Sequence, residues 1–306
     1  MKLLIKIFFI FFLFKSILGN SEEYTQDIFK SSFIEFNEED FKKIILHNNF
    51  DKLKVEDKIL FIYTPGSMND DRMDDICSTY NEFAYLSEFF YKLKKNFDYY
   101  FYLNCTNNIE GDMRIPNASN FPFPYRGESK HKKIRDSLVE LTLKFKNKGF
   151  DSKNIFLVGH SCGAWHSLYL TSQHKDLVNS LIAFSPSCFG PRYLHFQRRG
   201  FLRQRQQDIK EILDGESFPA LVFISQEDSR ENYLTSKWLK KIDGLKIIKT
   251  IKKTNNKYYY DNNLCIFHSD KNLEEVSILD GHNLHFSKCF KKYNSEINNF
   301  IKLRVG

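Results

Sequence analysis

From residue 58 the chain alternates short unbroken apolar runs with longer segments whose apolar residues recur at three- and four-residue intervals. KILFIYTPGS is continuous and apolar until Pro65-Gly66, as expected of a strand buried on both faces and stopped by a turn. DDICSTYNEFAYLSEFFYKLKKN then spaces its apolar positions like a helix, with acids at its start and lysines at its end, matching the helix dipole. The grammar repeats. YYFYLNC reads as a strand, residues 106 to 127 as a long loop, and KIRDSLVELTLKFKNKGF as an amphipathic helix with Gly149 near its end. Next come strand NIFLVG, helix GAWHSLYLTSQ, strand LVNSLIAFS, an insertion from Cys188 to Ser217, strand ALVFIS and helix NYLTSKWLKKI. Such alternation predicts an α/β fold, a mostly parallel sheet with helices on both faces. Residues 20 to 57 are charged and weakly periodic, as one or two edge strands would be. Residues 245 to 270 fit an added hairpin.

Length and composition add boundaries. The 306 residues, 42% hydrophobic and 27% charged, support one large core, so residues 20 to 306 are read as one domain. The first nineteen residues join a short basic start to an apolar run, Ile7 to Phe14, and read as a signal peptide cleaved near Gly19 or Asn20. An uncleaved anchor is the alternative. With the segment removed, the protein is expected to be secreted or periplasmic, without membrane contact. Its net charge of +7 is scattered and lacks the basic run or stacking motif of a nucleic-acid binder.

Export changes how the six cysteines read, since disulfides persist in oxidising compartments. Cys265 with Cys289 and Cys77 with Cys105 are the expected pairs, against the alternative of free thiols. Two sequons, at Asn104 and Asn117, would matter only in a eukaryotic secretory route. No HExxH or comparable pair appears, so neither metal nor cofactor is expected.

The chemistry gathers at Gly159-His160-Ser161-Cys162-Gly163. A serine on a sharp strand-to-helix turn needs glycine on both sides, and only thirteen glycines occur in the chain. The alternative is a glycine-rich turn whose serine caps the helix. A base should follow. VSILDGHNLHF offers His282 just past a turn at Asp280-Gly281, with His285 as its rival. ALVFISQEDSR ends a strand with carboxylates that could orient the imidazole, Asp228 ahead of Glu227. Oxyanion donors are expected from the backbone of Cys162 and of the TPGSMND turn, Ser67 first and Met68 as fallback.

PGS at 65 to 67, GHSCG, QED at 226 to 228 and DGH at 280 to 282 stand in the order of the α/β-hydrolases, which the chain resembles over roughly residues 58 to 304. The resemblance implies an α/β-hydrolase fold with Ser161, Asp228 and His282 as triad. It also implies an esterase-like or peptidase-like activity on a small-molecule or acyl-ester substrate. Dienelactone-hydrolase-like relatives carry cysteine at the nucleophile position. Here that position is Ser161, so Cys162 is not read as the nucleophile. The oxyanion turn lacks the His-Gly pair common in the family. Residues 188 to 217, with Arg192, Arg198, Arg199, Arg203 and Arg205 among aromatics, fall where the family often places a lid. They could receive an anionic substrate or touch a membrane surface, against the alternative of a solvated lid helix with no charge selectivity. A hydrolase-fold binding protein, a serine peptidase and an acyltransferase are the competing readings.

Overall fold

The computed structural model describes residues 32–36, 44–47, 53–55, 57–66, 90, 92–94, 96–105, 130–189, 199–268, 275–278 and 280–305. The expected signal peptide, the loop at 106 to 127, Ser67, Met68, Cys77 and Asn117 lie outside them, as does most of the helix expected after residue 74.

Eight strands form the main sheet: β1 Ser32–Phe36, β2 Ile44–His47, β3 Ile59–Thr64, β4 Tyr99–Leu103, β5 Ile155–His160, β6 Ser180–Phe184, β7 Ala220–Ile224 and β8 Leu245–Lys249. Their order is β2-β1-β4-β3-β5-β6-β7-β8. The six from β4 to β8 are parallel, and β1 and β2 add an antiparallel edge. This is the α/β-hydrolase fold.

Its central strands are apolar on both faces because both are covered. Along β3, Ile59, Phe61 and Tyr63 enter one core while Leu60 and Ile62 enter the other, the two-residue period of a pleated strand. One core is closed by Phe286, Phe290 and helix α4, Asn294–Val305, through Ile297 and Ile301. The other is covered by helices α1, Lys130–Asn147, α2, Ser161–Gln173, and α3, Arg199–Asp214. Helix α2 lies between its neighbours and is buried along almost its whole length. Its polar groups are therefore paired. Trp165 Nε1 donates to Asp208 at 2.8 Å, and Asp208 also forms an ion pair with Arg135. Tyr169 donates to Glu211 at 2.7 Å.

Three expectations change. The second half of the lid-like segment is α3, the crossover that joins parallel β6 to β7; residues 190–198 lie outside the described residues. Arg205 on that helix is held by Glu231, with Nε to Oε1 at 2.5 Å, and by the carbonyl of Thr235, so it is not a free anion receptor. NYLTSKWLKKI does not form an α-helix. Asn232 Oδ1 accepts from the amides of Leu234 and Thr235, competing with helical bonding, and only a 3-10 turn follows at Lys237–Lys241. In the region fitted to a hairpin, Leu245–Lys249 is instead the last parallel strand of the main sheet. The hairpin proper is β9 to β11, Lys253–Thr254, Lys257–Tyr260 and Asn263–Leu264.

Cys265 and Cys289 are joined as expected, with Cα atoms 5.4 Å apart. Cys105 is disulfide-bonded, and its expected partner Cys77 lies outside the described residues. Asn104 is buried and donates to Thr64 Oγ1 at 3.2 Å, so its side chain is not presented for a glycan.

Candidate active site

Strand β5 delivers its last residue, His160, to the sheet edge, and the chain turns at once into α2 with Ser161 as its first residue. Ser161 has φ of 52°, a left-handed conformation costly for a residue with a Cβ. The flanking glycines follow from contact. A Cβ on Gly159 would stand 2.6 Å from the amide nitrogen of Ala164, and one on Gly163 would overlap the carbonyl oxygens of Thr64 and Pro65. The turn thus presses β5, α2 and the end of β3 together.

His282 lies opposite. Its Nε2 is 2.9 Å from Ser161 Oγ, and its Nδ1 is 2.9 Å from Asp228 Oδ2. All three side chains are buried. The other Asp228 oxygen accepts from the backbone amides of Arg230 at 2.7 Å and Glu231 at 3.2 Å, which fixes the carboxylate. Its rival Glu227 instead approaches Ser225 Oγ at 3.4 Å. Ser161 Oγ has a second acceptor within reach, the carbonyl of Ser187 at 3.1 Å.

His282 does not extend a main-sheet strand. The run before it contributes β13, Glu275–Ser277, which among the described residues pairs with β12, Ile266–His268, and not with the main sheet. His282 sits on a 3-10 segment, Gly281–Phe286, capped by Asp280. Asp280 Oδ1 accepts from the amides of His282 and Ser229, and Oδ2 from Ser229 Oγ at 2.5 Å. It therefore ties the loop carrying His282 to the loop carrying Asp228, a role hidden in a sequence where Asp-Gly signals only a turn. Gly281 is needed for the same closeness, since a Cβ there would overlap Ser225.

His285 is elsewhere. Its ring is stacked on Phe184 at 5.0 Å and packs against His160 at 4.2 Å, and neither ring nitrogen has a hydrogen-bond partner among the described residues. Burial, and then the neighbouring imidazole of His282, hold His285 well below the ordinary histidine value. His160 is lowered first by burial and then by His285, His282 and Arg230; its Nε2 meets the carbonyl of His282 at 3.2 Å. These two rings pack beside His282 and each other.

Of the expected oxyanion donors, Cys162 follows Ser161 at the start of α2, while Ser67 lies outside the described residues. The turn before it reaches the serine: a Cβ on Gly66 would lie 2.8 Å from Ser161 Cβ and 3.4 Å from its Oγ. The side chain of Cys162 points to a second cluster that sequence spacing did not reveal. It pairs with Cys188, and His131 Nδ1 and His166 Nε2 converge on both sulfurs. The available signal was Cys162 and His166 four residues apart on one helix face.

No protein-family model and no curated protein sequence matches the chain. Among solved structures it is similar to Est1E from Butyrivibrio proteoclasticus, at 12% identity and a TM-score of 0.50, over 83% of this chain and 91% of that one. The same protein with ferulic acid bound aligns at 12% identity and a TM-score of 0.48, over 90% and 95%. The esterase Pf2001 from Pyrococcus furiosus aligns at 12% identity and 0.45, over 92% and 95%. The likeness to Est1E is one of fold, the α/β-hydrolase fold.

Proposed function

We propose that this chain is an exported serine hydrolase that cleaves a carboxylic ester through an acyl-serine intermediate, with Ser161 as nucleophile, His282 as general base and Asp228 as orienting acid. The observation that carries the reading is the continuous contact from Asp228 to His282 to Ser161, 2.9 Å at each step, on a buried turn. A serine hydroxyl is a weak nucleophile until a base takes its proton. Asp228 accepts a hydrogen bond from His282 Nδ1–H, which keeps the proton on Nδ1 and leaves Nε2 as the lone-pair nitrogen facing Ser161.

In the first half-reaction Oγ attacks the ester carbonyl while its proton passes to His282 Nε2. The developing oxyanion is received by backbone amides, that of Cys162 and one from the turn at residues 66 to 68. Collapse of the tetrahedral intermediate breaks the bond to the alkoxy group, which leaves with the proton from His282. Water then enters, gives a proton to the same nitrogen and attacks the acyl carbon. The acid departs and the serine recovers its hydrogen. An ester is the preferred substrate because alkoxide is a better leaving group than an amine anion, so less protonation is required at collapse.

Export is supported by the expected signal segment and by the Cys265–Cys289 pair. The activity is tested with p-nitrophenyl esters of increasing chain length beside aminoacyl-arylamides. Turnover of esters well above arylamides, abolished in Ser161→Ala, is expected. Hydrolysis of the arylamides alone would reassign the chain as a peptidase.

A further inference from the structure

The second cluster stands behind the nucleophile turn and uses none of the proposed triad side chains. Cys162 and His166 lie on one face of α2, His131 lies in the first turn of α1, and Cys188 follows β6. Their ligating atoms all fall within 4.8 Å of one another, and each residue is buried or nearly so. His131 Nδ1 is 3.4 Å from Cys188 Sγ and 3.9 Å from Cys162 Sγ. His166 Nε2 is 3.3 Å from Cys162 Sγ and 3.7 Å from Cys188 Sγ, and the two ring nitrogens are 3.5 Å apart.

These separations have a chemical meaning. In a tetrahedral zinc site with bonds of about 2.3 Å to sulfur and about 2.0 to 2.1 Å to nitrogen, ligand atoms sit about 3.3 to 3.8 Å apart. The nitrogen-to-nitrogen and nitrogen-to-sulfur distances fall on or close to that range, while the two sulfurs are bonded to each other and must separate on reduction. A disulfide gives no reason for two imidazoles to converge, because it has no S–H donor and sulfur is a weak acceptor. Two thiolates also neutralise a divalent cation, which a buried site requires.

We infer that, with both thiols reduced, Cys162, Cys188, His131 and His166 bind one zinc ion in a closed, four-ligand structural site that pins α1, α2 and the segment after β6 behind the serine turn. The Cys162–Cys188 disulfide first takes up two electrons and two protons from a thiol reductant, which is itself oxidised to a disulfide. Metal binding then forms two Zn–S and two Zn–N bonds, breaks the two S–H bonds and releases two protons to solvent without further redox change. Zinc on Nε2 of His166 leaves the proton on Nδ1, which faces Arg135 Nε at 3.4 Å. That contact is long for a hydrogen bond and gives way, while Arg135 keeps its ion pair with Asp208. With all four positions filled by protein, the metal holds structure and has no open position for substrate.

The test is a metal count on the full chain prepared in reducing buffer with zinc and then desalted. One zinc per chain is expected, falling at least about tenfold in Cys188→Ser and in His131→Ala, and unchanged in Cys265→Ser. Should those variants fail to fold, cobalt loading of the unaltered chain gives a readout that needs no substitution. It should show the visible bands of tetrahedral cobalt with thiolate charge transfer. Zinc no higher than in the Cys162→Ser/Cys188→Ser double variant, or a cobalt spectrum without thiolate bands, would overturn the inference. So would a Cys162–Cys188 disulfide that re-forms in place of metal binding. The count is read without activity, so its failure leaves the serine-hydrolase reading standing.

Discussion

Two histidine clusters meet the same five-residue turn, and they differ in what stands beside the imidazoles. At Ser161, the His282 ring is held between a carboxylate and a hydroxyl, each at 2.9 Å, and Asp228 is itself fixed by two backbone amides. At Cys162, one residue further on, His131 and His166 face two sulfurs. The first arrangement suits moving a proton, because one ring nitrogen is committed to an acid and the other is left to accept. The second suits holding a soft cation. In it, burial, then Arg135 and then His131 keep His166 well below the ordinary imidazole value. Residue type alone does not separate these roles; the partner of each nitrogen does.

The comparison breaks most sharply if the serine side carries no chemistry. Ser161→Ala should lower turnover roughly 10⁴-fold or more in a folded protein. His282→Ala should approach that loss, and Asp228→Asn should fall short of it by one to two orders, since it misorients the base but spares the nucleophile. His285→Phe, which keeps the stack on Phe184, should leave turnover within about tenfold. Steady-state kinetics on one ester across the four variants decides it, and equal losses in His282→Ala and His285→Phe would remove the distinction between the base and the ring packed beside it.

Stability draws the next contrast. The Cys265–Cys289 bond closes a loop with a sequence separation of 24 that contains His282, so Cys265→Ser should cost about 3 kcal/mol in denaturant unfolding. The neutral histidines give the fold a pH signature. His160 and His285 have folded values below their unfolded value of about 6.5, so below that pH the unfolded chain binds more protons. Their contribution is fully present above about pH 6.5 and is lost as pH falls. Replacing His285 with Phe should reduce the slope of stability against pH in the acid range by up to about 1.4 kcal/mol per unit, as measured by unfolding at several pH values. The smallest effect belongs to Asp280→Ala, which removes a cap and the tie between the acid and base loops. About 1 kcal/mol of stability should go, together with part of kcat and little of KM.

Much of this was legible in the sequence, for physical reasons. Both faces of β3, β5, β6 and β7 are covered, so these strands read as unbroken apolar runs, and the glycines around Ser161 could be recognised because a Cβ has no room there. Strand β8 was hidden because it lies at the sheet edge, where LKIIK mixes lysine with half-buried apolar residues. Asp280 read as a turn residue because its bond to Ser229 spans 51 positions. The cysteine and histidine cluster was hidden because its members come from α1, α2 and the end of β6. No local spacing other than that of Cys162 and His166 marks it.

The central claim is that Ser161 alone is activated, and the most direct measurement is intact and peptide mass spectrometry after treatment with a fluorophosphonate probe. One adduct per chain is expected, on the peptide containing Ser161, absent in His282→Ala and present in His285→Phe. A folded protein that hydrolyses esters yet takes up no probe, or takes it up at another residue, would contradict it.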